Sequence, residues 1–145
     1  MKIPALNDKG ELPPGEHAVT LSTVQRRFGR STARRKALME GLEQAAENLG
    51  KAGVDRIWID GSFITDKEEP NDIDGCWEYS EQVDLSKIDP VFLAESRLPM
   101  KEKYGIEFFP ACVIEAASRL PFPSFFQVNR DGESKGILVV SMKTR

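Results

Sequence analysis

Asp72 and Asp74 stand one residue apart at the start of an apolar stretch running to Tyr79, and Asp72 lies ten positions after Ser62. On a strand, side chains at i and i+2 point to one face, so both carboxylates are expected on the same side, roughly 6.5–7 Å apart along the chain. Carboxylates made to converge repel by about 4 kcal/mol at roughly 4 Å and an effective dielectric of about 20. Divalent cations relieve that repulsion, and Mg²⁺ is typically held by one or two carboxylates together with substrate phosphates. Just upstream, Gly61-Ser62 is a small turn that suits close approach of a phosphate to backbone N–H groups. Glu107 is a third acid, alone in the apolar run Tyr104–Phe109. Burying an unpaired carboxylate is costly, so this group must either take up a proton more readily or find a cation.

The elements that must position these residues follow from the apolar pattern. Val54–Asp60 reads as a strand leading into the Gly61-Ser62 turn, and Ile73–Tyr79 as its hairpin-like partner, with Pro70-Asn71 turning the chain into it. A third strand begins at Tyr104 and extends toward Ile114. Lys135–Met142 reads as a last strand at a sheet edge. Thr20 or Ser22 caps a short helix ending near Phe28-Gly29, and Ser31 or Thr32 opens the longest helix, to about Leu49-Gly50. Leu38, Leu42, Ala45, Ala46 and Leu49 form its inward stripe. Leu85–Ser96 is expected to be a helix, with Asp84 or Ser86 as cap and Pro99 separating it from the next element; Phe122–Val128 is expected to hold a short helix on the sheet. Residues 1–19, with Leu12-Pro13-Pro14-Gly15, read as an irregular arm.

Gly61-Ser62, the ten-residue interval from Ser62 to Asp72, and Asp72-x-Asp74 resemble the signature of the DNA polymerase β-type nucleotidyltransferase superfamily. The fuller wording Gly61-Ser62-Phe63-x-Thr65-x-Lys67-x-x-Pro70-x-Asp72-x-Asp74 is closer still to a family of small bacterial proteins of unknown function. That similarity runs from Leu12-Pro13 to Lys135-Gly136-Ile137. The resemblance implies an α+β, minimal nucleotidyltransferase fold: a small mixed β-sheet with helices packed mainly on one face. It implies transfer of an NMP from an NTP to a protein or RNA hydroxyl, with Mg²⁺ or Mn²⁺ held by Asp72 and Asp74. Glu107 falls where such enzymes place a third acid, usually an Asp. Gly61 and Ser62 would hold the terminal phosphates, with Lys67 or an arginine from residues 26–36 adding charge compensation. Small stand-alone members include toxins and antitoxins, so a toxin–antitoxin or phage-defence setting is implied. So is the alternative of a non-catalytic nucleotide- or partner-binding member, acting as an antitoxin or regulatory subunit. Many minimal members carry Ala-Arg-Gly after Gly-Ser, where this chain has Phe63-Ile64-Thr65. At this size the chain is expected to be without the extra domain by which larger members hold base or acceptor. A partner protein, a second copy or a macromolecular acceptor is therefore expected.

At 145 residues, with 40% hydrophobic and 30% charged residues, the chain is expected to form one domain with a real core. Its start carries no signal-peptide pattern, and no run approaches the length of a membrane span; a cytoplasmic protein without membrane contact is the expectation. Cys76 and Cys112 are far apart and the single histidine is His17, which argues against a Cys/His zinc site. Both cysteines, like Trp58 and Trp77, are expected to be buried. The net charge is −3, but unevenly spread. Arg26, Arg27, Arg30, Arg34, Arg35 and Lys36 form a basic run with no acid among them, whereas Asp66–Asp89 is acidic apart from Lys67 and Lys87. Cations at a helix start oppose its macrodipole, so helix formation gives no reason for the run. A solvated face and a phosphate or nucleic-acid contact are both open readings.

Overall fold

The computed structural model describes residues 2–143. In chain order its elements are β1 (Gly15–Val19), α1 (Leu21–Phe28), α2 (Ala33–Lys51), β2 (Arg56–Asp60), β3 (Ile73–Trp77), α3 (Leu98–Tyr104), β4 (Ile106–Pro110), α4 (Phe122–Phe125) and β5 (Gly136–Ser141). The two larger helices start on threonines. The Thr20 hydroxyl accepts a hydrogen bond from Thr23 N at 3.2 Å, and that of Thr32 accepts one from Arg35 N at 3.1 Å. Each satisfies a backbone donor that a helix start leaves free.

The strands form one mixed sheet in the order β1-β5-β2-β3-β4. β2 runs antiparallel to both β5 and β3, while β1 and β4 lie parallel to their neighbours at the two edges. Alternation along each strand separates two cores. Ile57, Ile59, Ile73, Ile106, Phe108, Leu138 and Val140 pack beneath α1, α2 and α3, with Leu42, Ala45 and Leu49 of α2 fully buried against them. The opposite face holds a smaller cluster of Trp58, Cys76 and Ile137, covered by Phe122 and Phe126. The fold is therefore α+β, a small mixed sheet with helices mainly on one face, as the resemblance implies. Among the described residues no helix is long and apolar enough to cross a membrane.

Several local expectations are corrected. The N-terminal arm is not irregular throughout: its residues 15–19 are β1, and Gly15 to Val19 pair in register with Gly136 to Val140. That pairing removes β5 from the edge, where its apolar sequence would leave an exposed pairing template. Residues 85–96 form no α-helix but two single 3₁₀ turns, Leu85–Lys87 and Pro90–Phe92, capped by Asp84 and Asp89. Pro99 opens α3 rather than separating elements, since a first-turn proline lacks only an N–H that has no partner there anyway. Gly105 ends α3 in a left-handed conformation (φ 72°), so β4 starts only at Ile106 and leaves the sheet after Pro110. Cys112 lies in the segment beyond and is exposed; only Cys76 is buried.

Candidate acidic site at the sheet end

β2 ends with an acid, and β3 and β4 carry one at their second position, all on the face opposite α2 and at the same end of the sheet. The register sets Asp60 beside Asp74 and Asp74 beside Glu107, a row of like charges across three adjacent strands. Such a row is destabilising by itself. Asp72 precedes β3 and joins the row. Oxygens of Asp72, Asp74 and Glu107 all lie within 4.8 Å of one another, closer than the spacing between alternate residues on a strand. Gly61 is required beside them. Its φ of 91° is disfavoured for other residues, and a Cβ there would lie 2.9 Å from Asp74 Oδ2.

Cations partly offset the repulsion. Lys101 of α3 places its Nζ 3.1 Å from Asp72 Oδ2 and 3.0 Å from Glu107 Oε1. Arg97 Nη1 reaches Glu107 Oε2 at 3.4 Å. α3 comes this close because Gly41 of α2 has no side chain: a Cβ there would meet the Tyr104 carbonyl at 1.9 Å. Lys135, just before β5, pairs with the buried Asp60. Burial nevertheless pushes Asp60 above its ordinary pKa, against the pull of Lys135. Among the described residues no cation forms an ion pair with Asp74. Burial, then the charges of Asp72, Asp60 and Glu107, raise its pKa from 3.8 to about 7, and Lys101 pulls it down only in part.

The acids open into a cavity of about 500 Å³ whose wall includes Gly61, Ser62, Thr65, Lys67, Asp72, Asp74, Lys101, Arg130 and Lys135. Every expected site residue except Glu107 lines this cavity, and Glu107 joins through its contacts with Lys101 and the other two acids. The loop after Gly61 is held from behind by Arg35, which is 3% exposed. Its guanidinium donates to the carbonyls of Phe28 (3.0 Å), Phe63 (2.6 Å), Thr65 (2.8 Å) and Lys67 (3.1 Å from Nε). Burial pulls its pKa below the usual guanidinium range, and Arg27 nearby adds to this. Because a trans peptide sets N–H opposite C=O, the Thr65 and Lys67 carbonyls turned toward Arg35 leave the amides of Asp66 and Glu68 pointing away from it, while the Ile64 amide closes on Gly61 O at 3.2 Å.

Sequence reasoning therefore assembles the acids and the turn but misses Lys101, Asp60, Lys135 and the loop anchor Arg35. Only Asp60 carried a local signal, as an acid closing an otherwise apolar strand. Three close carboxylates on a rigid sheet, with space kept open by Gly61, are a donor set suited to a hard divalent cation. Among curated proteins and solved structures, none matches the chain. Residues 4–141 match the model of a family described as "Family of unknown function (DUF6932)", and with nearly the whole chain spanned, the protein belongs to that family.

Proposed function

We propose that this protein is a divalent-cation-dependent nucleotidyltransferase, moving an NMP from an NTP to a hydroxyl of a protein or RNA acceptor. The observation that carries this reading is the convergence of Asp72, Asp74 and Glu107 within 4.8 Å beside the Gly61-Ser62 turn. Asp72, Asp74 and Glu107 would hold Mg²⁺ or Mn²⁺, which when bound supplies charge stabilisation for the attacking and leaving oxygens. The chain's own groups do the rest. Gly61 and Ser62, both on the cavity wall, let the phosphates approach the loop backbone closely. Lys67 and Lys101, both on the cavity wall, supply positive charge for the leaving pyrophosphate. The acceptor oxygen attacks the α-phosphorus as the bond to the bridging oxygen of pyrophosphate breaks, and an acidic side chain of the cluster takes the hydroxyl proton.

A second reading draws on Lys101. Its ammonium already bridges Asp72 and Glu107, where a metal ion would otherwise sit, which suits a non-catalytic member that binds a nucleotide or a partner protein, as an antitoxin or regulatory subunit would. A cytoplasmic location and a toxin–antitoxin or phage-defence setting belong to both readings.

Incubation with each α-labelled NTP, Mn²⁺, total RNA and candidate partner proteins tests the enzyme reading. Label transfer lost in Asp72→Asn supports it. Melting that responds to NTP with metal, without any transfer, favours the binding member; melting indifferent to both refutes the site.

A further inference from the structure

The basic run identified in the sequence has only one member with a folding role. Arg35 is buried in the loop carbonyls, whereas Arg26, Arg27, Arg30, Arg34 and Lys36 are exposed where the end of α1 meets the start of α2. Their contacts compensate little charge. Arg26 meets the Ser22 hydroxyl at 2.7 Å, Arg27 lies over the Phe28 ring, and Arg34 reaches Glu69 only at 4.0 Å. Arg34 and Lys36 also occupy the first turn of α2, which holds no acid, so they work against the helix dipole.

We propose that this corner docks the phosphodiester backbone of an RNA strand. Where the nucleotidyl-transfer reading above holds, on which this clause rests, RNA rather than protein is then the acceptor. Two observations support the assignment. The exposed cations are mostly arginines, with the exposed hydroxyls of Ser22 and Ser31 among them, the fork-shaped and hydroxyl donors that phosphate oxygens accept from. The corner also adjoins the acidic cavity, across the loop that Arg35 holds. A cleft of about 230 Å³ lined by Arg27, Ser31 and Arg35 shares Thr65 and Lys67 with that cavity. Asp66 and Glu68 line the loop side of that cleft, so the strand runs along the helix side. In a chain of net charge −3, such a concentration of cations is a local address, not a consequence of overall charge.

The test is anisotropy of a fluorescein-labelled oligouridylate titrated with the full chain at several salt concentrations. Five phosphate contacts predict a slope of log affinity against log salt of about −3.5, and Arg26→Glu/Arg30→Glu lowers its magnitude by about 1.4 and weakens binding at least ~10-fold at low salt. Arg26→Lys/Arg30→Lys retains most of the slope. Lys51→Glu/Lys87→Glu, the same charge change elsewhere on the surface, leaves binding within about two-fold. Equal loss in that control pair, no RNA binding at about 50 mM salt, or equal displacement by polyglutamate overturns the proposal. Asp72→Asn/Asp74→Asn separates the two ideas: retained RNA binding supports the docking surface whether or not the native chain transfers label from NTP to RNA.

Discussion

The two faces of the sheet are built from the same strands and differ in what their alternate residues do. Under α1, α2 and α3, Ile57, Ile59, Ile73, Ile106, Phe108, Leu138 and Val140 are sealed from solvent. On the other face Trp58, Cys76 and Ile137 sit under a thin aromatic cover, and at one end Asp60, Asp74 and Glu107 follow in register. One face lowers the free energy of folding at nearly every position, whereas the acidic end of the other raises it. Lys101 and Lys135 return part of that cost and Asp74 is left with the remainder. A sheet can tolerate such a row because the sealed face stabilises the strands independently of it.

The largest expected effect concerns the loop that joins the two faces. With ~1–3 kcal/mol for each buried carbonyl left unsatisfied, Arg35→Met should cost more in urea unfolding than any single truncation in the core. Hydrogen exchange at residues 62–68 should accelerate in the folded fraction. Next comes Leu42→Ala beneath the sealed face, expected to cost about 2–5 kcal/mol while the folded fraction keeps its response to Mn²⁺. A cation response that fell with stability would merge the two faces into one unit.

Asp74 gives the pH test. Its pKa rises from 3.8 to about 7 on folding, so between those values the native state holds more protons than the unfolded state. The metal-free protein should therefore lose stability as pH climbs from about 4 to 7, by at most about 4 kcal/mol, and change little from this group above that. Asp74→Asn should remove that slope, exceed the native chain in stability near pH 8, and no longer respond to Mn²⁺ in melting experiments. Lys101→Gln should act in the opposite sense on the ion, tightening Mn²⁺ binding by roughly two- to five-fold because a half-exposed competitor is removed. Weaker Mn²⁺ binding in that variant would mean that Lys101 orients the carboxylates rather than competing for them. The smallest effect separates the thiols: Cys112 should react with a thiol reagent in the native protein, while Cys76, whose pKa burial pushes up, reacts only on unfolding.

Short apolar runs made β2 and β3 legible, and the two-residue spacing of Asp72 and Asp74 the face they share. The helical stripe from Leu38 to Leu49 gave α2 in the same way. Arg35 looked like its neighbours in a basic run because its partners are the carbonyls of a loop some thirty residues downstream. Lys101 was hidden for a related reason: its approach depends on Gly41 in another helix. Residues 85–96 have apolar spacing suited to a helix, yet the Asp84 and Asp89 side chains take up backbone donors first and close two short turns. β1 carried too few apolar residues to announce itself and is a strand because β5 offers it a free edge.

β5 lies between β1 and β2, although it is the last of the five strands in the sequence. On a ribosome, the strands on either side of it emerge long before the one that fills the gap between them. Until then the nascent chain carries two exposed borders with unpaired amides, and the growing protein depends on prompt completion, or on a chaperone, to avoid pairing with its neighbours.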